Sequence, residues 1–376
     1  MLEIYLPIVQ VNVDIFLLLF LSLLVGVLSG LFGVGGGFLM TPFLIFMGIP
    51  PVYAVPNEVN NILATSVSGS LTHWFKNTLD YKMGMMIVSG GVVGTIIGIT
   101  TFNYFSEIGK ISTIISLLYM YLLAIVGTLM LIEGIREKAN KSKNKLIKKK
   151  IHEHNWFQGL PLRMRFQKSR LYESALTPIM LGLVVGFVAS MMGIGGAFLM
   201  VPAMIYIVGM PVNLIPGTSL FVTIFISALV TILHAFNYSS IDLYLVFPLI
   251  VGSIMGVQLG QKLGQFLDST ELKSLFALLL LSVAIAIGYD SFFRESKEIE
   301  SKQILNDNLS TFAEFTVNFS NENPFLFGAF AILLAISLGA MTAVIRKILS
   351  PIARKFISDL KQKSSKKKEG IKFPEK

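Results

Sequence analysis

Long apolar stretches dominate the chain and restrict the folds that are open to it. A helix needs about 20 apolar residues to cross the hydrocarbon core of a bilayer. Stretches of this length occupy 15–32, 57–75, 83–104, 111–132, 175–192, 217–236, 243–264, 274–293 and 324–345. Soluble domains carry about 25% charged residues, whereas this chain carries 14%. The sequence therefore predicts an all-α integral membrane protein.

Two shorter apolar pieces, 38–48 and 198–208, each follow a cluster of glycines. An 11-residue helix rises roughly 16 Å, which is about half the hydrocarbon thickness. We therefore expect both pieces to be half-helices, so that the fold contains broken or re-entrant helices.

The basic residues are concentrated in two segments. Of the 31 Lys and Arg residues, 12 lie in 136–173 and 11 in 346–376, while 294–323 is acidic and the N-terminal stretch 1–75 contains no Lys or Arg. Cytoplasmic loops are enriched in Lys and Arg. We therefore expect the two basic segments inside, and the N-terminus and the acidic segment outside. The net charge of +9 then favours contact with membrane lipids over contact with nucleic acid.

The two halves of the chain share a pattern of glycines and their neighbours. Eight positions of the first half recur in the second half with residue numbers higher by 160, and three more glycines recur with a shift of 162. The first members are Gly26, Gly33, Gly35, Gly36, Phe38, Leu39, Met40 and Pro42, then Gly90, Gly94 and Gly98. The charge pattern requires an odd number of crossings in each half, so the repeat has inverted topology, as in many secondary transporters. We expect about seven full crossings plus two re-entrant pairs.

The same boundaries divide the chain into six regions. They are a first transmembrane repeat (12–135), a basic cytoplasmic linker (136–173), a second transmembrane repeat (174–293), an acidic external loop (294–323), an extra transmembrane helix (324–346) and a basic cytoplasmic tail (347–376).

The glycine clusters favour a structural role over nucleotide binding. The cluster at 33–37 lacks the Lys and the Ser or Thr that follow the glycines of a phosphate-binding loop. Glycine permits sharp turns and close helix approach. We expect this role for Gly33, Gly35, Gly36, Gly193, Gly195 and Gly196, and helix packing for the ridge of Gly90, Gly94 and Gly98.

Two segments resemble the repeat signatures of the sulfite exporter TauE/SafE family. They are Gly-Leu-Phe-Gly-Val-Gly-Gly-Gly-Phe-Leu-Met-Thr-Pro at 30–42 and Gly-Ile-Gly-Gly-Ala-Phe-Leu-Met-Val-Pro at 193–202. Pro-Gly-Thr-Ser at 216–219, a later histidine and Asp242 are also similar to that family. The resemblance implies a multi-pass carrier of small sulfur-containing or organic anions in the bacterial inner membrane. The segment 294–376 has no counterpart in the minimal family pattern.

The residues themselves predict an anion site at helix N-termini. The helices that begin near Asn57 and Thr218 each follow a half-helix and a proline. If both begin near the bilayer midplane, their unpaired N–H groups form an anion site without Lys or Arg. The candidate substrate-binding residues are Asn57, Asn60, Asn61, Thr65, Gly217, Thr218, Ser219 and Thr223. Simple N-capping and helix–helix contacts are the alternatives for these polar residues.

Three titratable residues are candidates for coupling or gating. A carboxylate within a membrane segment is costly and is a functional candidate, so Glu58 could take up a proton, or else pair with its helix dipole. His73 and His234 could be pH-sensitive gates or favourable residues at helix C-termini. The coupling ion is expected to be a proton or sodium. Asp80 and Asp242 are expected to be loop caps or salt-bridge partners.

The sequence favours a secondary transporter over an enzyme. It contains no cysteine and no Gly-x-Ser-x-Gly or His-Glu-x-x-His motif. The pair His152 and His154 is too small for a metal site, so no cofactor or metal is expected. An anion channel on the same scaffold, a membrane-embedded enzyme and a membrane anchor remain the alternatives. No oligomeric state is predicted.

Overall fold

The computed structural model describes residues 3–32, 39–142, 162–211, 213–238, 240–263, 269–293 and 311–344. These residues form four short strands and twelve helices. In chain order they are β1 (Glu3–Leu6), β2 (Val11–Asp14), α1 (Ile15–Phe32), α2 (Met40–Phe46), α3 (Pro51–Phe75), α4 (Tyr81–Glu107), α5 (Ile111–Ser142), β3 (Arg163–Phe166), β4 (Leu171–Ser174), α6 (Leu176–Met192), α7 (Ala197–Tyr206), α8 (Ile215–Tyr238), α9 (Leu243–Leu263), α10 (Ser269–Phe293), α11 (Thr311–Glu322) and α12 (Pro324–Val344).

The prediction of a helical membrane protein is confirmed. By length and apolar composition, α4, α5, α8, α9 and α12 contain segments suited to crossing a membrane. The helices α1, α6, α7 and α10 contain shorter apolar segments. The predicted roles of Gly33, Gly35 and Gly36, half of the basic linker (143–161), the first part of the acidic loop and the tail fall outside the described residues.

Two antiparallel hairpins depart from the purely helical expectation. β1 pairs with β2 so that Glu3 faces Asp14, and β3 pairs with β4 so that Arg163 faces Ser174. The second hairpin lies within the segment that we expected to be a linker. Its side chains alternate in the way typical of a strand with one buried face. Phe166 is buried and packs with Met164 and Leu171, whereas Arg163 and Arg165 are exposed.

Two parallel helix pairs are built on glycine. In the first pair, α4 lies against α6, and a Cβ added to Gly90 or Gly94 would collide with the carbonyl of Ile179 or Leu183. In the second pair, α9 lies against α1, and Gly252, Gly256 and Gly260 meet Leu19, Leu23 and Val27 in the same way. Small residues at steps of four allow backbones to approach this closely.

The ridge on α4 leads to a stability prediction. Gly94→Ala should lower stability by about 1–3 kcal/mol, because the added methyl group cannot fit beside the Leu183 backbone without moving α6. Thermal unfolding of the purified protein measures the loss. Gly109→Ala is the control, since a Cβ at this position contacts no other atoms. Its positive φ adds only a small cost in stability. Equal stability of Gly94→Ala and the wild type would contradict the packing.

The remaining long helices pack around a central antiparallel pair. Gly69 of α3 meets Leu220 of α8, and Gly217 of α8 meets His73 of α3, so the two helices run in opposite directions. α5 packs against α10. α12 lies beside the central pair, where Gly339 meets the Ala64 carbonyl of α3.

Candidate functional site

The central helices bury an unusual number of polar side chains. Within α3, Asn57, Glu58, Asn60, Asn61 and Ser66 are all 0% exposed. Within α8, the buried polar residues are Thr218, Ser219, Thr223, Ser227, Thr231 and His234. Buried polar groups are costly unless they find partners, so the partners of each group indicate its role.

A carboxyl, an amide and a hydroxyl form the core of the candidate site. The Asn61 amide donates to both carboxyl oxygens of Glu58, at 3.2 Å each, and to Ser253 Oγ of α9 at 3.0 Å. Glu58 and Asn61 are about one helical turn apart on α3, which places them on the same face. The side-chain carbonyl oxygen of Asn61, Oδ1, is buried and has no hydrogen-bond partner among the described residues.

A turn of glycines lies at the same level of α3. A Cβ on Gly193 would meet Val55, and one on Gly195 would meet Ile62. Val55 and Ile62 lie about one turn before and after Glu58. Gly193 and Gly195 have φ of 74° and 69°, so this turn depends on glycine.

The turn begins the half-helix α7 without a capping side chain. Its N-cap, Gly196, has φ of 79° and makes no side-chain cap hydrogen bond. The first N–H groups of a helix lack partners within the helix and carry partial positive charge. The start of α7 therefore brings partial positive charge close to α3, because it directly follows Gly195, which lies against Ile62.

A buried tyrosine completes the site. Tyr119 of α5 is 0% exposed and donates to the Met192 carbonyl at 2.6 Å, directly before the turn. Thr41 of α2 lies beside Tyr119 and against Gly193. We call Glu58, Asn61, Ser253, Thr41, Tyr119 and residues 193–196 the glycine-turn site.

Asp242 holds the first hairpin to the start of α9. Its carboxylate accepts from the N–H groups of Ile8 at 3.0 Å and Val9 at 3.4 Å, in the turn between β1 and β2. The Asp242 N–H donates to Asn57 Oδ1 at 2.7 Å, and Asn57 Nδ2 donates to the Ser240 carbonyl at 3.0 Å. We call this set the Asp242 latch.

Asp80 holds the second hairpin to the start of α4 with an equivalent set of hydrogen bonds. Its carboxylate accepts from the Ser169 N–H at 3.0 Å, from the Ser169 hydroxyl, and from the Met83 N–H at 3.2 Å. The Asp80 N–H donates to Thr218 Oγ1 at 3.0 Å. We call this set the Asp80 latch. Both aspartates therefore do more than cap a loop, because each joins a hairpin to one of the central helices.

The structure separates Asn57 and Thr218, which we expected to form one site, and α3 begins at Pro51, so Asn57 lies inside the helix and not at its start. Gly217, beside Thr218, lies against His73, which is near the opposite end of α3 from Asn57. At about 1.5 Å per residue, the interval from Asn57 to His73 separates Asn57 from Thr218 by roughly 24 Å. The physical reason is that α3 and α8 are long antiparallel helices that start at opposite ends. The helix start beside Glu58 belongs to the half-helix α7.

The side chains of other predicted substrate-binding residues donate hydrogen bonds to backbone carbonyl groups. Thr65 donates to the carbonyls of Asn61 and Ile62, Ser219 to Pro216 and Thr223 to Ser219, all within their own helices. Such bonds satisfy a buried hydroxyl locally. Asn60 donates to the Ala331 carbonyl of α12 at 3.4 Å. Gly217 provides close packing against His73.

The two histidines lie at opposite ends of the central pair. His73 Nδ1 is 2.9 Å from Thr78 Oγ1, at the end near the Asp80 latch. His234 is 0% exposed, and its Nε2 is 3.1 Å from the Ser190 carbonyl. The His234 ring also packs edge-on against Phe102 at 4.7 Å. Neither histidine is part of the glycine-turn site.

The family follows from comparison with known proteins. A family model described as "Sulfite exporter TauE/SafE" matches residues 18–287. The chain belongs to the sulfite exporter TauE/SafE family. The resemblance of the two glycine segments is thereby confirmed. The match ends before α11 and α12.

Relatives of this TauE/SafE member are named as transporters. Two are from Bacillus subtilis (strain 168): "Probable membrane transporter protein YjnA" is 28% identical over 265 residues, which is 70% of this chain and 96% of the relative, and "Probable membrane transporter protein YunE" is 24% identical over 288 residues, 74% and 98%. "Probable membrane transporter protein MJ0441" from Methanocaldococcus jannaschii is 25% identical over 271 residues, 66% and 86%. No solved structure matches the chain. The family and these relatives point to a membrane transporter, not an enzyme.

One carboxyl outside the membrane helices yields a pH prediction. Burial raises the pKa of Glu173 in β4 to about 7 from its ordinary 4.5. Between these values the folded protein holds a proton that the unfolded chain has lost, so stability should fall as the pH rises from about 4.5 to about 7. Melting temperatures at pH 5.5 and pH 8 measure this fall.

Glu173→Gln removes the titrating group, so its melting temperature should decrease less between the two pH values than that of the wild type. Glu322→Gln, which removes an exposed carboxyl, should keep the wild-type decrease. The same decrease in Glu173→Gln and in the wild type would refute the assignment.

Proposed function

We propose that the protein is a secondary transporter that carries a small oxyanion together with a proton. The family description points to a sulfur-containing anion such as sulfite, and a related organic anion or sulfonate has the same oxygens. The observation that carries the proposal is the glycine-turn site, because it sets a carboxyl, an amide and hydroxyls beside the uncapped start of α7. Helix N-termini and O–H donors bind oxyanions.

The composition of the buried polar groups supports an anion site of this kind. The buried polar side chains of the described chain are Ser, Thr, Asn, His, Asp and Glu, with neither Lys nor Arg among them. Hydrogen-bond donors and helix dipoles therefore provide the positive potential inside the helix bundle. Such donors hold an anion less strongly than a buried cation would, which suits release at the other face.

We infer that the two halves have opposite orientation in the membrane. The two hairpins occupy equivalent positions of the repeat. The glycine ridges join α1 of the first half to α9 of the second, and α6 of the second half to α4 of the first, so each half packs against the other in the same way. In this arrangement α3, α4, α5, α8, α9, α10 and α12 cross the membrane, while α1–α2 and α6–α7 are re-entrant pairs. The first hairpin lies outside and the second lies in the cytoplasm of a bacterial cell.

The two latches would control access to the glycine-turn site. Each one ties a hairpin and the start of a spanning helix to one end of the central pair. Both latches are formed here, as a closed state of the carrier would require. Alternating access requires the two sides to open in turn. We propose that the Asp242 latch opens toward the outside and the Asp80 latch toward the cytoplasm.

Glu58 is the proposed proton carrier. An ionised carboxylate without a cationic partner is expensive inside a membrane protein, and the hydrogen-bond partner of Glu58 is the neutral Asn61 amide. Ionised Glu58 would also repel an anion bound to the same site. Anion and proton therefore bind together, and both leave together.

Counterflow in liposomes tests the transport function. Purified protein is reconstituted in vesicles loaded with thiosulfate, sulfite, a sulfonate or a small carboxylate, and uptake of labelled thiosulfate is followed. We expect saturable uptake that internal oxyanion stimulates. Flux that is not stimulated, with large unitary conductance, would instead show a channel, and conversion of the anion into a new compound would show an enzyme.

Tyr119 should affect affinity more than turnover. Tyr119→Phe removes the hydrogen bond to the Met192 carbonyl and frees the glycine turn, and one such bond contributes about 0.5–1.5 kcal/mol. We expect KM for the transported oxyanion to rise about threefold to tenfold. Tyr121→Phe is the matched control, because Tyr121 lies on the same helix but is 60% exposed. An unchanged KM in Tyr119→Phe would exclude Tyr119 from the site.

A further inference from the structure

The β3–β4 hairpin carries a concentration of positive charge that the transport mechanism does not use. Its residues, 163–174, include Arg163, Arg165, Lys168 and Arg170, all exposed, and one acidic residue, Glu173. Glu173 belongs to the half-buried inner face of the hairpin, opposite Met164. The outward side of the hairpin is therefore basic.

The matching hairpin lacks this charge. Where the second hairpin has its four basic residues, the equivalent positions of the first hairpin hold Glu3, Tyr5, Ile8 and Gln10. The backbone plan is shared down to the turn, since Gln10 and Arg170 both have positive φ, of 60° and 54°. The hairpin fold therefore does not require the positive charge, which agrees with the cytoplasmic side expected for this segment and for its lipid headgroups.

Apolar and aromatic groups accompany the basic groups. Leu162 is 68% exposed and Tyr172 is 65% exposed. Tyr172 faces Arg165 directly across the strands. Arg165 and Tyr172, together with Gln167, Arg170 and Leu171, line a shallow cleft. Tyrosine with arginine is typical of the headgroup level of a membrane, where the ring lies in the interface and the cation reaches phosphate.

The contacts of the hairpin fix it at the ends of membrane helices. Asp80 at the start of α4 binds Ser169, and β4 leads directly into α6. Lys82 of α4 donates to the Arg165 carbonyl at 3.1 Å, and Lys168 donates to Asn77 Oδ1 at 2.6 Å. These contacts hold the backbone and leave the Arg165 and Arg170 side chains exposed on the cleft.

We propose that the cleft of the β3–β4 hairpin binds the phosphate headgroup of an anionic lipid, with Arg165 and Arg170 as the phosphate ligands. The guanidinium groups donate paired hydrogen bonds to phosphate, and Tyr172 and Leu162 contact the glycerol and upper acyl region. The cytoplasmic placement of the hairpin rests on the proposed topology, whereas the lipid contact itself is independent of any transported anion. The lipid would thereby anchor the hairpin that forms the Asp80 latch.

Native mass spectrometry of the full-length protein in detergent tests the proposal. The probes are phosphatidylglycerol and phosphatidylcholine at equal concentration, with and without inorganic phosphate. We expect the wild type to retain phosphatidylglycerol at least fivefold over phosphatidylcholine, and phosphate to leave this preference unchanged. Equal retention of the two lipids would overturn the proposal. Displacement of the lipid by phosphate would overturn it as well, and would show a site for a free anion.

Matched variants locate the binding. Arg165→Gln with Arg170→Gln should reduce the preference to about onefold, and Arg165→Lys with Arg170→Lys should keep part of it. Lys110→Gln with Lys262→Gln removes two exposed charges elsewhere and should keep the wild-type preference. A full preference in the double glutamine variant would overturn the proposal. Because lipid retention is measured without transport, its failure is distinguishable from failure of the anion-carrier function.

Discussion

Glu58→Gln should abolish accumulation of the oxyanion driven by a pH gradient, with a loss of at least tenfold. Gln keeps the size of the side chain and an oxygen that accepts from Asn61, so the fold should be retained. It cannot release or take up a proton, so the anion loses its coupling to the gradient. Exchange of internal for external anion should continue within about twofold of the wild type.

Uptake of labelled thiosulfate into liposomes, with and without a pH gradient, measures both activities. Thiosulfate stays ionised across the working pH range, so the pH response belongs to the protein. Glu107→Gln, which changes an exposed carboxyl at the end of α4, is the control and should behave as the wild type. If Glu58→Gln accumulated thiosulfate in response to the pH gradient at the wild-type rate, Glu58 would have no role in coupling. A requirement for sodium in place of a pH gradient would do the same.

Asp242→Asn should open one side of the carrier and Asp80→Asn the other. Each change weakens hydrogen bonds to a charged group, which contribute about 1.5–3 kcal/mol. A shift of this size changes the equilibrium between closed and open states about 10-fold to 150-fold. Asp242→Asn should therefore favour the state open to the outside, and Asp80→Asn the state open to the cytoplasm.

Cysteine modification measures which side is open. The chain contains no cysteine, so Ser66→Cys provides a single reporter at a buried position of α3. Its reaction with an impermeant maleimide should rise at least tenfold from outside in Asp242→Asn and from inside in Asp80→Asn. Asp14→Asn is the control, because the Asp14 carboxylate accepts from the Phe16 N–H at the start of α1 and belongs to neither latch. Equal reactivity from both sides in both variants would contradict the assignment of the latches.

Local patterns allowed the membrane helices and their close contacts to be predicted from the sequence. The spacing of Gly90 and Gly94 predicts close packing on the face where α6 lies, because steps of four place small residues on one side of a helix. The short helices α2 and α7 lie where the sequence has short apolar pieces after glycines. The hairpins were missed because such short strands give too brief an alternation to recognise.

The candidate site was predicted in part. Glu58 and Asn61 stand out as polar residues in an apolar stretch, but their partners on other helices require the tertiary fold. Tyr119, Ser253 and Thr41 each look ordinary within their own helices. A signal was present, since Thr41 and Ser253 occupy positions where the other half has Val201 and Gly91. Polar residues at which a repeat departs from itself indicate a site that belongs to one half.

The opposite orientation of the two halves is the central claim, and labelling of the two hairpins tests it most directly. Asn12 and Tyr172 lie at matching positions of the repeat, and both are exposed. In otherwise cysteine-free protein in intact cells, an impermeant maleimide should label Asn12→Cys at once and Tyr172→Cys only after permeabilisation. Labelling of both cysteines from the same side of the membrane would contradict the account.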